Sequence, residues 1–491
     1  MAETVLIPAE GYVLQKVRIK RLSSKNIIVS DHGPWCVLDD EQWDRVLNNA
    51  LLPSEPLFAD LEKKGIILTE NNLRMVTSQY KERYSHLFIG PSLHILVITK
   101  RCNHKCVYCH MSAARGDMAE FDMGKETARK TVDFIFKSPT PTLHIEFQGG
   151  ESLMNFDVIK EVVLYAEKVN ETKKRTLEFS LVSNLSLMDE EKLMFLLDHH
   201  VHICTSLDGT EEIHNHNRRS ELRGFNSFAT TKRWIDRIRA EYQKLGSDRD
   251  VSALITINRN AIDKAKEVID AYRECGFSMI HLRSLNNLGF ASRSWHKIGY
   301  SAEEFIRFWQ EGIEYIIGLN KKGEFFRERT AIIMLQKMLT TINPNYVDLS
   351  SPCGACVSVL TYDYNGKIYS CDEGRMVGDD TFCLGEIQDE FKDLMGSKKA
   401  CAIVTSSIND LSFCDECAWK PYCGLCPVHT YQQSNSLVPL NIQDDRCKIL
   451  MAQFDFLMEK LVTDDAFAVL ARRWVSAGLP KELRGCREIF I

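Results

Sequence analysis

From Leu93 to about Ser284, short apolar runs alternate with stretches of helical period, the pattern of parallel βα units. The runs predict strands at Leu93–Ile98, Leu143–Gln148, Leu177–Val182, Val201–Ser206, Val251–Ile257 and Met279–Leu285. Six strands with crossover helices give an α/β fold of the partial (β/α)6 barrel type, with its active site at the C-terminal strand ends. Ahead of it, Tyr12–Ile19 and Asn26–Ser30 read as strands, and Asp39 and Asp40 open a helix carrying Trp43, Val46 and Leu47. A second helix around Leu57–Lys64 and a wing strand at Gly65–Leu68 complete a winged-helix-like module, with Tyr80–Ser92 as linker. Residues 301–341 predict two amphipathic helices, with Phe305, Phe308, Trp309 and Ile313 facing the core on one and Ile332, Leu335 and Leu339 on the other. Met451–Ala477 reads as a helical tail. The chain thus divides at 1–85, 90–300, 301–350, 351–450 and 451–491.

At 491 residues, 44% of them hydrophobic and 26% charged, the composition is that of an ordinary soluble protein and argues against wholesale disorder. The formal charge of −6 argues against a general nucleic-acid binder. No run of eighteen apolar residues and no N-terminal signal pattern occur, so a cytoplasmic protein with no membrane partner is expected. Seventeen cysteines in a reducing compartment point to metal or cluster ligation rather than disulfides.

Eleven of these cysteines fall into two groups. Cys102, Cys106 and Cys109 follow the first barrel strand, and Tyr108 stands just before the third. Three thiolates on a four-iron cluster leave one iron free to chelate a small molecule. A zinc site is the competing reading, with His104 and His110 at hand as a fourth ligand. The remaining strand ends carry Gly149-Gly150-Glu151, Ser183-Asn184 and Ser206-Leu-Asp-Gly209. Glycines let backbone approach closely, and a carboxylate suits an ammonium group. A tight turn with an exposed Glu151 and helix N-caps at the serines are the plainer alternatives. Cys353, Cys356, Cys371, Cys414, Cys417, Cys423, Cys426 and Cys447 form the second group. Cys36, Cys204, Cys275, Cys383, Cys401 and Cys486 stand apart, and most are expected to be small buried apolar residues.

The first group resembles the signature of the radical S-adenosylmethionine (SAM) enzymes. That resemblance makes Gly149, Gly150 and Glu151 the methionine-binding motif, puts Tyr108, Ser183, Asn184 and Ser206 in the cofactor shell, and offers Arg218 or Arg283 to the SAM carboxylate. For both arginines an ordinary ion pair is the alternative. The second group resembles the SPASM extension, which carries two auxiliary clusters, so three [4Fe-4S] clusters in all are implied. The family's interleaved pattern gives Cys353, Cys356, Cys371 and Cys426 to one auxiliary cluster and Cys414, Cys417, Cys423 and Cys447 to the other. Two residues separate Cys423 from Cys426 where the family usually has three, and a zinc ribbon of Cys414, Cys417, Cys423 and Cys426 competes.

By the same resemblance, Asp372 corresponds to the residue that takes a proton from substrate in sulfatase-maturing members, with Glu373 a second candidate and a simple turn the alternative. The N-terminal module resembles the peptide-recognition unit of radical SAM maturases, a plain capping subdomain being the alternative. The implied function is oxidative modification of a ribosomally made precursor peptide or protein by crosslink, thioether or dehydrogenation. An electron donor such as flavodoxin or ferredoxin would serve it. Cys371-Asp-Glu-Gly-Arg375 and Leu282-Arg-Ser-Leu-Asn286 look closest to maturases of the His-Xaa-Ser system. The alternatives are a dehydrogenase of a sugar or amino alcohol and a non-enzymatic iron–sulfur or zinc protein.

Overall fold

The computed structural model describes residues 11–478, apart from 23–24, 345, 409, 411 and 440–443. Its centre is an eight-stranded sheet in the order Ser252–Leu254, His202–Ser206, Thr176–Ser183, Thr142–Gly149, Leu93–Thr99, Val359–Tyr362, Lys367–Tyr369, Cys383–Glu386. The first six strands run parallel, and the last two are added by antiparallel pairing, each to the strand before it. The face under the crossover helices is apolar, with Ile145, Phe147, Leu181 and Ile203 fully buried, while the other face carries a polar chain in which Ser180 bonds His144 Nε2 (2.7 Å) and donates to Glu146 (3.0 Å). Val359–Tyr362 pairs with Leu93–Thr99, so the cysteine-rich region continues the barrel sheet.

The sixth expected strand shrinks to Met279–Ile280, which pairs with Arg327–Glu328 outside the main sheet. Side chains take over the backbone donors that a ladder would have used. Buried Glu328 accepts the Leu282 N–H (3.0 Å) and, as an N-cap, the Ala331 N–H (2.7 Å), while Tyr300 Oη accepts the Leu285 N–H (2.7 Å). Residues 281–288 are thereby free to line a cavity.

Ala302–Lys321 and Arg329–Leu339 are helices whose apolar faces, including Phe305, Trp309 and Leu335, lie in the core. Asp445–Thr463 and Asp465–Gly478 pack against them. At the N-terminus, Val17–Leu22, Lys25–Ser30 and Trp35–Leu38 make a three-stranded antiparallel sheet, and Val13–Leu14 pairs with Ile67–Leu68. Asp39 closes a capping box on the Asp40–Leu47 helix. The helix Leu73–Tyr84 occupies the first part of the expected linker. The module is fixed to the rest of the chain: Trp35 Nε1 donates to the Met338 carbonyl (2.9 Å), and Lys16 and Arg18 pair with Asp415 (2.9 and 3.1 Å).

Cys36, Cys204 and Cys275 are buried as expected, whereas Cys383 is half-buried and Cys401 exposed; Cys486 lies outside the described residues. No helix among the described residues is long and apolar enough to cross a membrane.

Candidate active site

The loop carrying Cys102, Cys106 and Cys109 rises from the Leu93–Thr99 strand and is held by backbone. Arg101–Cys102 pairs with Ala114–Arg115, and His104–Cys106 pairs antiparallel with Arg218–Ser220, which sets Arg218 opposite Cys106. Gly149 and Gly150 are required by the chain itself. A Cβ at Gly149 would stand 2.2 Å from the Thr99 carbonyl oxygen, and one at Gly150 2.2 Å from that of Arg101. The Gly150 and Glu151 N–H groups donate to those two oxygens (2.9 and 2.8 Å). The close approach expected of the glycines is therefore to the cysteine loop.

Glu151 is not the exposed end of a turn; it is 1% exposed. Its carboxylate accepts the Ser183 hydroxyl (2.6 Å) and the N–H groups of Asn184 (2.7 Å) and Leu153 (3.0 Å). Burial pushes its pKa up and these donors pull it back. Asn184 Nδ2 then reaches Asn103 Oδ1 (3.1 Å) in the cysteine loop. The second and third strand ends and the loop are one hydrogen-bonded unit, and Ser206 ends the fourth strand half-buried beside it.

Asp208, within the Ser206–Gly209 run but outside the expected site residues, is fully buried in this unit. It accepts the Tyr108 hydroxyl, pairs with Arg218 Nε (3.2 Å), and its N–H donates to His214 Nδ1 (3.2 Å). Arg218 also lies over the Tyr108 ring, 5.4 Å from its centre. Burial works against the Arg218 charge, but Asp208 and its neighbours hold it on. Burial pushes the Cys106 thiol up to about 12 while Arg218 pulls it down. A free thiol here is protonated, and a bound cation would deprotonate it.

Arg283 does not join Arg218. It sits 3.9 Å from Glu373 Oε1, in a cavity also lined by Asn286, Tyr346, Asp348 and Cys426. That cavity abuts the cysteine loop, because the Phe290 N–H donates to the Cys109 carbonyl (2.9 Å) and a Cβ at Gly289 would meet the His110 carbonyl at 2.0 Å. Asp372 is turned away from it. Its Oδ1 accepts Nε (3.1 Å) and Nη2 (3.0 Å) of buried Arg375, whose Nη2 also lies 2.7 Å from Met111 Sδ of the loop. Burial raises Asp372 and Arg375 opposes the rise. Glu373 is raised by burial and by the Asp348 and Asp372 charges, with Arg283 opposing.

The eight remaining thiols sort into two neighbourhoods. Cys353, Cys356 and Cys371 share an apolar cluster with Ile95, Leu288 and Val359, and Cys426 packs against it. The charges of Cys353 and Cys426 both act on Cys371. The Cys371 and Cys426 sulfurs accept helix N-terminal N–H groups from Gly374 (3.3 Å) and His429 (3.5 Å). In the other neighbourhood, Cys417 and Cys447 act on both Cys414 and Cys423. Among the described residues, no three of His, Cys, Asp or Glu are placed to hold a single metal ion. A four-iron cube calls instead for thiolates spread around it.

Residues 96–247 match the profile of the radical SAM superfamily. A cysteine-type anaerobic sulfatase-maturating enzyme of Clostridium perfringens (strain 13) is 22% identical over 382 residues, covering 76% of this chain and 98% of that protein. The structure of native anSMEcpe with bound AdoMet superposes with a TM-score of 0.63 at 21% identity, covering 77% of this chain and all of that one. Streptococcus suis SuiB bound to its precursor peptide SuiA gives 0.52 at 12% identity, over 87% of this chain and 98% of that one. The chain carries a radical SAM domain, in a fold akin to that of the anaerobic sulfatase-maturating enzymes.

Proposed function

We propose that this protein oxidatively modifies a ribosomally synthesised peptide or protein. The observation that carries this reading is a cavity lined by Glu373 and Cys426, whose Leu285–Leu288 segment runs on into Gly289 and Phe290, packed on the Cys109–His110 backbone. When bound, a four-iron cluster with an open iron and SAM supply a 5′-deoxyadenosyl radical that takes a hydrogen atom from an unactivated carbon. Cys102, Cys106 and Cys109 would hold that cluster. Tyr108, Gly149, Gly150, Glu151, Ser183, Asn184, Ser206 and Arg218 would shape the SAM site beside it. Glu373, raised in pKa and facing the cavity, is suited to take a proton from substrate. Arg283 would position Glu373 or the substrate.

Cys353, Cys356, Cys371 and Cys426 would hold an inner auxiliary cluster, and Cys414, Cys417, Cys423 and Cys447 an outer one. The thiol neighbourhoods support this division, since Cys426 lies with Cys371 and Cys447 takes the fourth place in the outer set. A peptide substrate is favoured by the N-terminal module, whose Val17–Leu22 strand pairs on one side only among the described residues and could add an extended peptide. The likeness to SuiB, solved with a precursor peptide, supports the same substrate class.

The test is anaerobic reaction of the iron-loaded protein with SAM, a flavodoxin or dithionite as reductant, and a short peptide encoded beside its gene. 5′-Deoxyadenosine should form and the peptide should lose hydrogen by mass. Turnover of a sugar or amino alcohol with an untouched peptide would sink the proposal.

Glu151→Gln probes the cofactor shell. The amide turns one accepting oxygen into a donor facing Ser183 or Asn184, and a charge-assisted bond is worth about 1.5–3 kcal/mol. SAM affinity should fall roughly tenfold to a hundredfold at unchanged iron content. Equal affinity would show that Glu151 does not shape the SAM site.

A further inference from the structure

Two cations lie buried beside the outer thiol neighbourhood with no carboxylate partner among the described residues. Lys337, on the Arg329–Leu339 helix, is 3% exposed and donates Nζ to the Leu349 carbonyl. The Leu349–Ser350 backbone packs on Gly424, where a Cβ would stand 2.6 Å from the Ser350 carbonyl oxygen, so the ammonium lies against the Cys423–Gly424 turn. Arg83 is likewise 3% exposed. It donates to the carbonyls of His32 (3.1 Å) and Pro421, and its guanidinium stands 5.7 Å from the centre of the Tyr422 ring. Both cations therefore bear on the segment that ends in Cys423.

Other cations around this neighbourhood are answered. Lys20 pairs with Asp455 (2.9 Å), Lys16, Arg18 and Lys420 converge on Asp415 (2.9, 3.1 and 2.9 Å), and Arg446 Nη2 lies 3.9 Å from Asp348. The Cys423 sulfur acts on Lys337, and both cations act on buried His86. A buried cation is costly unless something negative answers it. A four-iron cluster with four thiolate ligands is net negative, and more so when reduced. The inner neighbourhood carries both signs, since Asp348 and Glu373 line the cavity beside Cys426 together with Arg283 and Arg446.

We propose that Lys337 and Arg83 are the counter-charges of the outer cluster held by Cys414, Cys417, Cys423 and Cys447, raising its reduction potential. This rests on the cluster assignment proposed above. They are positioning residues, acting on the group through its field.

The test is an EPR-monitored redox titration of the anaerobically reconstituted full-length protein, with the SAM-binding cluster recognised by its spectral change on adding SAM. Lys337→Met keeps the length and removes the charge. It should lower one of the other two potentials and leave its companion in place, shifting the reduction equilibrium at least tenfold, about 59 mV for one electron. Arg83→Met should lower the same one, and Lys337→Arg should restore the wild-type value. If Lys337→Met instead loses that cluster's irons while Lys337→Arg keeps them, the counter-charge role also stands. Three unchanged potentials, an equal fall in both auxiliary potentials, or iron loss in Lys337→Arg as well would overturn it. Wild-type protein without the outer cluster's irons would defeat the cluster assignment itself, and this inference with it.

Discussion

Replacing Cys102, Cys106 and Cys109 together by alanine is expected to remove about four irons and abolish SAM cleavage, leaving about eight irons in place. The loop should keep its shape, because its backbone is paired with Ala114–Arg115 and Arg218–Ser220 and clamped by Gly149 and Gly150. Cys102 is buried and its thiol is shifted upward chiefly by burial, so exchanging it for a methyl group leaves no buried charge. Iron analysis and 5′-deoxyadenosine measured by chromatography check both halves. Persistent 5′-deoxyadenosine in the triple variant would place the radical chemistry elsewhere.

Glu373→Gln is expected to cut product formation roughly a hundredfold or more while SAM cleavage continues uncoupled, since a positioned general base contributes about 10²–10⁴-fold. Of the two adjacent carboxylates, Glu373 faces the cavity with Arg283 3.9 Å away, whereas Asp372 is tied to Arg375. Asp372→Asn should loosen Arg375 from Met111 and lower product yield less. The pH profile gives a second readout. Burial and the carboxylates of Asp348 and Asp372 raise Glu373, and a base works only when deprotonated. Product formation in the native protein should therefore climb with pH through the raised Glu373 pKa, and that rise should vanish in Glu373→Gln. The opposite pattern, with product lost in Asp372→Asn and kept in Glu373→Gln, would return the proton to Asp372.

Much of this was legible in the chain because local periodicity and spacing encode local structure. Alternating apolar runs gave the five parallel strands that open the central sheet, and the stripe of Phe305, Phe308, Trp309 and Ile313 gave a core helix. Asp39 announced its own helix start through its capping box with Gln42. The short spacings within Cys102–Cys109 and Cys414–Cys423 likewise set neighbouring thiols before any fold is known.

Long-range placement was another matter, since it depends on which surfaces pack. The apolar run at Met279–Leu285 has strand character, yet Glu328 and Tyr300, distant in sequence, capture its backbone donors and turn most of it into cavity wall. The glycines at 149 and 150 read as a ligand cradle with a turn as the alternative, and only the folded chain set the Thr99 and Arg101 carbonyls against them. Adjacency in sequence could not separate Asp372 from Glu373, because consecutive residues on a short helix point in different directions. Nor could it show that Cys426 turns away from nearby Cys423 toward Cys371, or that Lys337 and Arg83 end beside the same cysteine turn. The sequence determined the local elements and the supply of thiols through residue spacing; tertiary packing decided which thiols, carboxylates and cations share a buried space, because burial and charge act through distance in the fold and not along the chain.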